Sequence, residues 1–184
     1  VQVIGDVIYV VDEIYEQYRT TREIIQICKL KPWWSKVSSH GVIDVAGKQH
    51  QAMESVAEVW GSTKPDGAGI DLAMQLVPIQ PGIDRYRDFL KINPLSNQPS
   101  VVISPRCHGL ISEHGGEFNP FTGQQAVYRY HIDKEGLTLG EEPEDKFNHA
   151  IKAMIYGIVD RFGYVIPDSG MRRAIKFSGS GRRT

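Results

Sequence analysis

The sequence predicts one α/β domain of three layers, with helices covering a mixed sheet. Three observations predict it. Short β-branched runs recur near residues 1–4, 7–11, 42–45 and 100–104. Between and after them lie segments with apolar residues at helical spacing, the longest ending near Phe162. Strands and helices interleave along the chain, as they do in layered mixed folds of the α/β or α+β kind. A chain of 184 residues is long enough to bury its own core without staples.

The elements follow in order. Val1-Gln2-Val3-Ile4 and Val7-Ile8-Tyr9-Val10-Val11 are joined by Gly5-Asp6, a two-residue hairpin turn. The opening is already strand-like, so the chain reads as an excised piece of a longer one. Asp12 to Tyr15 carry the second strand toward its end. Thr20 or Thr21 caps a helix, with Glu23 near its third position and Ile24, Ile25, Ile27 and Cys28 on its apolar face. Pro32-Trp33-Trp34 ends it. Val42-Ile43-Asp44-Val45 is a short buried strand holding one acid. Residues 47–60 read as a helix, with Met53, Val56, Ala57 and Trp60 at helical spacing. Lys64-Pro65-Asp66-Gly67 is a turn, and residues 69–77 are expected to be helical. Ile83, Tyr86 and Leu90 share a further helix face. Residues 106–114 form a short helix, and 127–131 an alternating strand. Pro143 opens a long amphipathic helix with Ile151, Ile155, Ile158 and Phe162 on its buried stripe. The domain is expected to span 1–166, followed by a basic, Gly/Ser-rich flexible tail over 167–184.

Bulk properties exclude several classes. The net charge of −1 gives no global field toward nucleic acid, so any such affinity must come from a local patch. Cys28 and Cys107 make neither a disulfide framework nor a metal motif, and read as buried thiols of a reducing compartment. No apolar stretch approaches the roughly 18 residues of a membrane span, and no signal peptide precedes the fold. A cytosolic protein is expected. No GxxxxGK[ST] loop is present, so ATP hydrolysis by that route is not expected.

Two places carry candidate chemistry. Asp44 stands at the carboxyl end of an apolar strand, where ligands of α/β sheets bind. A carboxylate there is costly to bury unless paired or holding a cation. On residue type alone it serves equally as a cap for the helix that follows. The second place is Glu141-Glu142-Pro143-Glu144-Asp145-Lys146-Phe147-Asn148-His149. On a helix opened by Pro143, Asp145, His149 and Lys152 share one face and suit a metal or a phosphate. A solvated polar face with an Asp145–His149 hydrogen bond satisfies the same spacing.

Asn148-His149-Ala150-Ile151-Lys152-Ala153-Met154-Ile155-Tyr156-Gly157 resembles the last motif of the nuclease domain of the tailed-phage large terminases. That family carries Asn/Asp-His-x-x-Asp-Ala-x-x-Tyr-Gly/Ala there, on the closing helix of an RNase H-like fold. Val7 to Glu16 is similar to the family's third strand, and Val42-Ile43-Asp44-Val45-Ala46 to its central acidic strand. Pro99 to Ser104, followed by Cys107 and Leu110-Ile111-Ser112-Glu113, keeps the family's order. The resemblance covers most of residues 1–164.

The resemblance implies an RNase H-like three-layer fold, a central mixed sheet flanked by helices. It implies a divalent-metal-dependent endonuclease that cuts concatemeric double-stranded viral DNA during genome packaging. Two Mg²⁺ or Mn²⁺ ions, about 4 Å apart, would be held by acids of the first strand, the central strand and the final helix. Asp44 would be the central acid, and His149 would flank the metals or assist proton transfer. The family's first strand, with its leading Asp, would precede Val1. Its final Asp falls on Lys152, which cannot ligate a cation. Either Asp145 supplies that carboxylate, or Lys152 replaces one metal's charge and grips the scissile phosphate. Glu13, at a strand end, is a possible substitute acid. Implied partners are the terminase ATPase domain, the small terminase and the portal protein, in the host cytoplasm. DNA contacts would fall to Lys48, Arg129, Lys152, Arg172 and Arg173, through phosphates. A catalytically impaired DNA-gripping or portal-docking module, and a resolvase or transposase core, are the other readings.

Overall fold

The computed structural model describes residues 1–45, 54–94, 96–168 and 171–174. It is a mixed α/β arrangement of small sheets and helices. Among the described residues, no sheet closes into a barrel. Nor, among them, is any helix long and apolar enough to cross a membrane.

The Gly5-Asp6 hairpin forms as its residues dictate. β1 (Gln2–Ile4) pairs antiparallel with β2 (Val7–Val10), and Gly5 adopts φ 60°, a region open to glycine without strain. α1 (Thr21–Lys29) opens on Thr20, whose hydroxyl accepts from the Glu23 amide while the Glu23 carboxylate accepts from the Thr20 amide. This reciprocal cap fixes the helix start. Ile25 and Cys28 are its buried residues. A 3-10 turn (Trp34–Lys36) leads to β3 (His40–Asp44).

α2 (Val56–Gly61) starts later than the helix expected over 47–60, because Ser55 is an extended N-cap whose hydroxyl accepts from the Glu58 amide; residues 46–53, including Lys48, lie outside the described residues. The helix expected over 69–77 is instead β4 (Asp71–Gln75), parallel to β3 with Asp44 opposite Gln75. Its short apolar run satisfies either period, and pairing with β3 decides for the strand. α3 (Ile79–Leu90) buries Gly82, Ile83 and Tyr86, while Leu90 is exposed. β5 (Ile92–Asn93) and β6 (Gln98–Pro99) form a small hairpin. β7 (Val101–Ile103) pairs parallel with β2, giving the sheet order β1-β2-β7.

α4 (His108–Glu113) follows at once. β8 (Tyr130–Ile132) and β9 (Thr138–Pro143) are antiparallel. Pro143 therefore ends a strand, and does not open the last helix. α5 runs from His149 to Phe162. Phe147, at φ 50°, stands just outside it. Beyond lie β10 (Val165–Asp168) and β11 (Met171–Ala174), an antiparallel pair that crosses the boundary expected at 166 and carries strand structure into the stretch expected to be tail.

One core joins these parts. Ile8 and Val10 of β2, Val101 of β7, Ile83 and Tyr86 of α3, Leu110 of α4, and Ile151, Met154, Ile155 and Ile158 of α5 pack together. Each such side chain contributes roughly 1.5–3 kcal/mol when fully buried. The three helices thus lie on one sheet, while the β3–β4 pair stands beside α5. The described strands fall into separate small sheets, not the continuous central sheet expected.

At Gly82, α3 packs closely against α5. A Cβ there would lie 2.7 Å from Cγ2 of Ile155 and 2.9 Å from Cγ1 of Val77. Gly82→Ala is therefore expected to destabilise the fold by about 1–3 kcal/mol, although alanine is the better helix former. Urea unfolding measures it; a stabilised variant would show that α3 and α5 do not meet there.

Candidate functional site

The site is assembled by α5. Its amides need acceptors at its start, and Asn148 provides no side-chain cap. Glu113, fully buried at the end of α4, supplies them: its Oε1 accepts from the Ala150 amide at 3.0 Å and its Oε2 from the Ile151 amide at 2.8 Å. The Tyr15 hydroxyl donates to the same Oε1 at 3.2 Å. Burial, then the Glu113 charge, pushes the Tyr15 phenol up to about 12. The same device starts α4. The Glu13 carboxylate accepts from the amides of Gly109 and Leu110, the latter at 3.0 Å. Burial nonetheless raises its carboxyl above the ordinary value, and these amides pull against that shift. Glu13 is thus engaged as a helix cap. The charge of each carboxylate also complements the helix dipole.

With its start fixed, α5 presents His149, Lys152, Ala153 and Tyr156 toward β3. Together with Val42, Ile43 and Asp44 they line a cavity of about 270 Å³. The Tyr156 hydroxyl donates to Oδ2 of Asp44 at 2.6 Å. Burial raises the Tyr156 phenol well above its ordinary value, and the Asp44 bond adds to the shift. The structure therefore brings Asp44, His149 and Lys152 to one cleft. His149 and Ala153 also line a larger cavity of about 800 Å³ on the other side, with Asp12, Glu13, Tyr15 and Phe121. Asp12 there is already bound: Oδ2 accepts from Nε1 of Trp33 at 2.8 Å and faces Nζ of Lys31 at 3.0 Å.

Asp145 stands differently from the expectation. It precedes α5, so it shares no helix face with His149. Its Oδ1 accepts from Nδ2 of Asn148 at 2.9 Å and from Nζ of Lys152 at 3.0 Å. These donors hold the Asp145 carboxyl below its ordinary value. Its side chain is 90% exposed, and it does not line the cavity that holds Asp44 and His149. Arg129 lies at another cavity and pairs with Glu144 at 3.4 Å. Arg172 and Arg173 stand on β11 opposite Pro167 and Ile166.

Among the described residues no three His, Cys, Asp or Glu groups gather to hold a metal. Asp44 and His149 do not make a two-metal cage. They do fit one hydrated Mg²⁺ or Mn²⁺, because such ions keep waters and take one or two carboxylates plus substrate phosphate. The positive Lys152 beside them suits the phosphate.

Sequence reasoning missed two roles. Glu113 carries only a weak signal, an acid on the apolar side of Leu110-Ile111-Ser112. Tyr156 lay within the closing motif, and its use as Asp44's partner depends on the β3–α5 approach.

Compared with known proteins, the chain matches no family model, no curated protein and no solved structure.

The capping account has a direct consequence. Glu113→Ala leaves two buried amides without acceptors and is expected to cost about 2–5 kcal/mol. Glu113→Gln keeps one acceptor oxygen and is expected to cost roughly half as much. Equal losses in urea unfolding would sink the account.

Proposed function

We propose that the chain is a metal-dependent endonuclease domain of the RNase H-like, large-terminase kind, acting on the backbone of double-stranded DNA. One observation carries this reading. Asp44, remote in sequence from His149 and Lys152 of α5, lines one cleft with them at the carboxyl end of β3, and the family resemblance bears on all three. A carboxylate, an imidazole and an ammonium there supply a cation ligand, a proton carrier and a phosphate clamp.

The roles follow from the chemistry of each group. The Lys152 ammonium grips the scissile phosphate as a point charge. The Tyr156 hydroxyl fixes the Asp44 carboxylate, as groups behind metal ligands do. His149, exposed on the first turn of α5, takes or gives a proton at the edge of the cleft. A bound Mg²⁺ or Mn²⁺ would polarise the phosphoryl oxygen and lower the pKa of a water. In this reading the ATPase domain, small terminase and portal protein are partners in a packaging motor, in the host cytoplasm.

A second reading is favoured by the Lys152–Asp145 pair and by the absence of a three-group metal cluster among the described residues. There the same cleft grips DNA phosphate, or docks on the portal, without cutting.

Plasmid cleavage by the purified chain in Mn²⁺, in Mg²⁺ and in EDTA separates the two. The nuclease reading expects cutting in metal, reduced on the order of 100-fold in Asp44→Asn and about 10-fold in Tyr156→Phe. Cutting unchanged in Asp44→Asn would refute the site. DNA binding without cutting in any metal would leave the gripping reading.

A further inference from the structure

A second cavity, of about 350 Å³, opens on the other flank of α5 from the larger cleft. That volume falls within the roughly 300–1,000 Å³ of small-ligand pockets. Its floor is apolar: Ile83 and Ile151 are buried, and so is the ring of Tyr86. Tyr128 and Tyr130 add two more rings from the segment leading into β8. Arg87 and Arg129 stand at its rim, each side chain more than half exposed.

The pocket is held in shape by its own hydrogen bonds. The Tyr86 hydroxyl lies 3.1 Å from Nε2 of His114, and Nδ1 of His114 lies 2.7 Å from the Leu110 carbonyl. The carbonyl can only accept, so Nδ1 donates and Nε2 accepts from Tyr86. The Tyr130 hydroxyl donates to Gln80 at 3.3 Å. Among the described residues the Tyr128 hydroxyl has no hydrogen-bond partner, which leaves a polar handle on an otherwise apolar wall.

Both cations have a carboxylate neighbour, with which a phosphate would compete. Arg87 sits 5.5 Å over the Tyr130 ring and 3.8 Å from Asp84, and the Arg129 ion pair runs through Nε to Glu144. The exposed Arg87–Asp84 pair contributes little, while the Arg129–Glu144 pair is partly buried on its Glu144 side; against both stands the guanidinium's ability to bind phosphate through two parallel hydrogen bonds.

We propose that this cavity takes one nucleotide, with its base against the tyrosine rings and its phosphate at Arg87 and Arg129. Aromatic faces stack bases of any sequence, and arginine recognises the phosphate. Tyr128 and Ile83 also line a cavity of about 230 Å³ that contains Asp44, Lys152 and Tyr156. A strand whose phosphate rests at Lys152 therefore continues past Tyr128 into the pocket. This placement rests on the nucleic-acid reading of the Asp44 cleft. The nucleotide chemistry is shared by a free nucleotide and by an unpaired strand.

The test uses the full chain with two probes, thymidine 5′-monophosphate and a fluorescent single-stranded hexathymidylate, followed by NMR shifts and anisotropy. The hexamer is expected to bind more tightly than the mononucleotide if the source is a strand, and no more tightly if it is a free nucleotide. Shifts at Tyr128 and Arg129 are expected for whichever source binds. Arg87→Gln with Arg129→Gln is expected to flatten the slope of log affinity against log salt by roughly 1.4, two contacts at about 0.7 each. Tyr128→Leu is expected to weaken binding about tenfold with that slope unchanged. Lys152→Gln probes the Asp44 cleft separately. Hexamer binding lost in Lys152→Gln but unchanged in the pocket variants overturns the pocket and leaves the nuclease reading intact. Binding lost in the pocket variants but unchanged in Lys152→Gln supports the pocket and removes DNA from the Asp44 cleft. No binding of either probe overturns the pocket.

Discussion

The buried carboxylate of Glu113 is the constraint on which the site depends. A lone charge in a core is expensive, by several kcal/mol even after relaxation. It is tolerated here because both oxygens accept backbone amides from the start of α5, and one accepts the Tyr15 hydroxyl as well. Those amides would otherwise be orphaned by the geometry of any helix start. Two costs cancel in one contact. Glu13 repeats the arrangement at the start of α4, whose last residue is Glu113 itself. The chain after β2 thereby fixes α4, and α4 fixes α5. An error at Glu13 is passed to the helix that carries His149 and Lys152. Helix packing alone sets α5 against the sheet but leaves its axial position free by a residue. The carboxylate removes that freedom.

Much of this was legible because the signals were local. The Gly5-Asp6 turn and the Thr20 cap with Glu23 are each written in adjacent residues and formed as expected, while the Asp44 strand formed over His40–Asp44 but only half-buried, where a buried strand over 42–45 was expected. β4 was not legible, since Ile70, Leu72 and Met74 satisfy a short strand and Ile70, Met74 and Val77 satisfy a helix. Only β3 beside it decides, and β3 is remote in sequence. The start of α5 was misplaced for a related reason. Pro143 with its acids has the composition of a helix opening, yet the acceptor that starts the helix belongs to α4. The Asp145–His149 pairing expected from helical spacing fell with it, while the meeting of Asp44, His149 and Lys152 depended only on α5 lying against β3.

The polar groups of the cleft form a balance around Lys152. Its ammonium stands between Asp145, which it binds directly, and the cavity that also holds Asp44. Asp145 is exposed, so that ion pair is screened and weak. On the proposed reading, an incoming backbone phosphate would compete for Lys152, because the Asp145 carboxylate it would displace is exposed and screened. A divalent cation at Asp44 would gain from the phosphate what it loses to the ammonium. On the proposed reading, cation and substrate would therefore strengthen one another at this cleft.

The two walls of the cleft differ in strength, and this follows from how each is attached. α5 is held by the apolar core and by Glu113. The β3–β4 pair is only half-buried, and the contacts binding it to α5 include side-chain hydrogen bonds, Tyr156 to Asp44 and Gln75 to Asp160 at 2.8 Å. Elements with few buried apolar contacts open locally at lower cost than the core. Asp44 therefore stands on the more yielding wall, and His149 and Lys152 on the firmer one. A duplex backbone is bulky, and a cleft that admits it must widen without unfolding. On the proposed reading, a carboxylate on the yielding wall would let the cleft widen while His149 and Lys152 keep their positions.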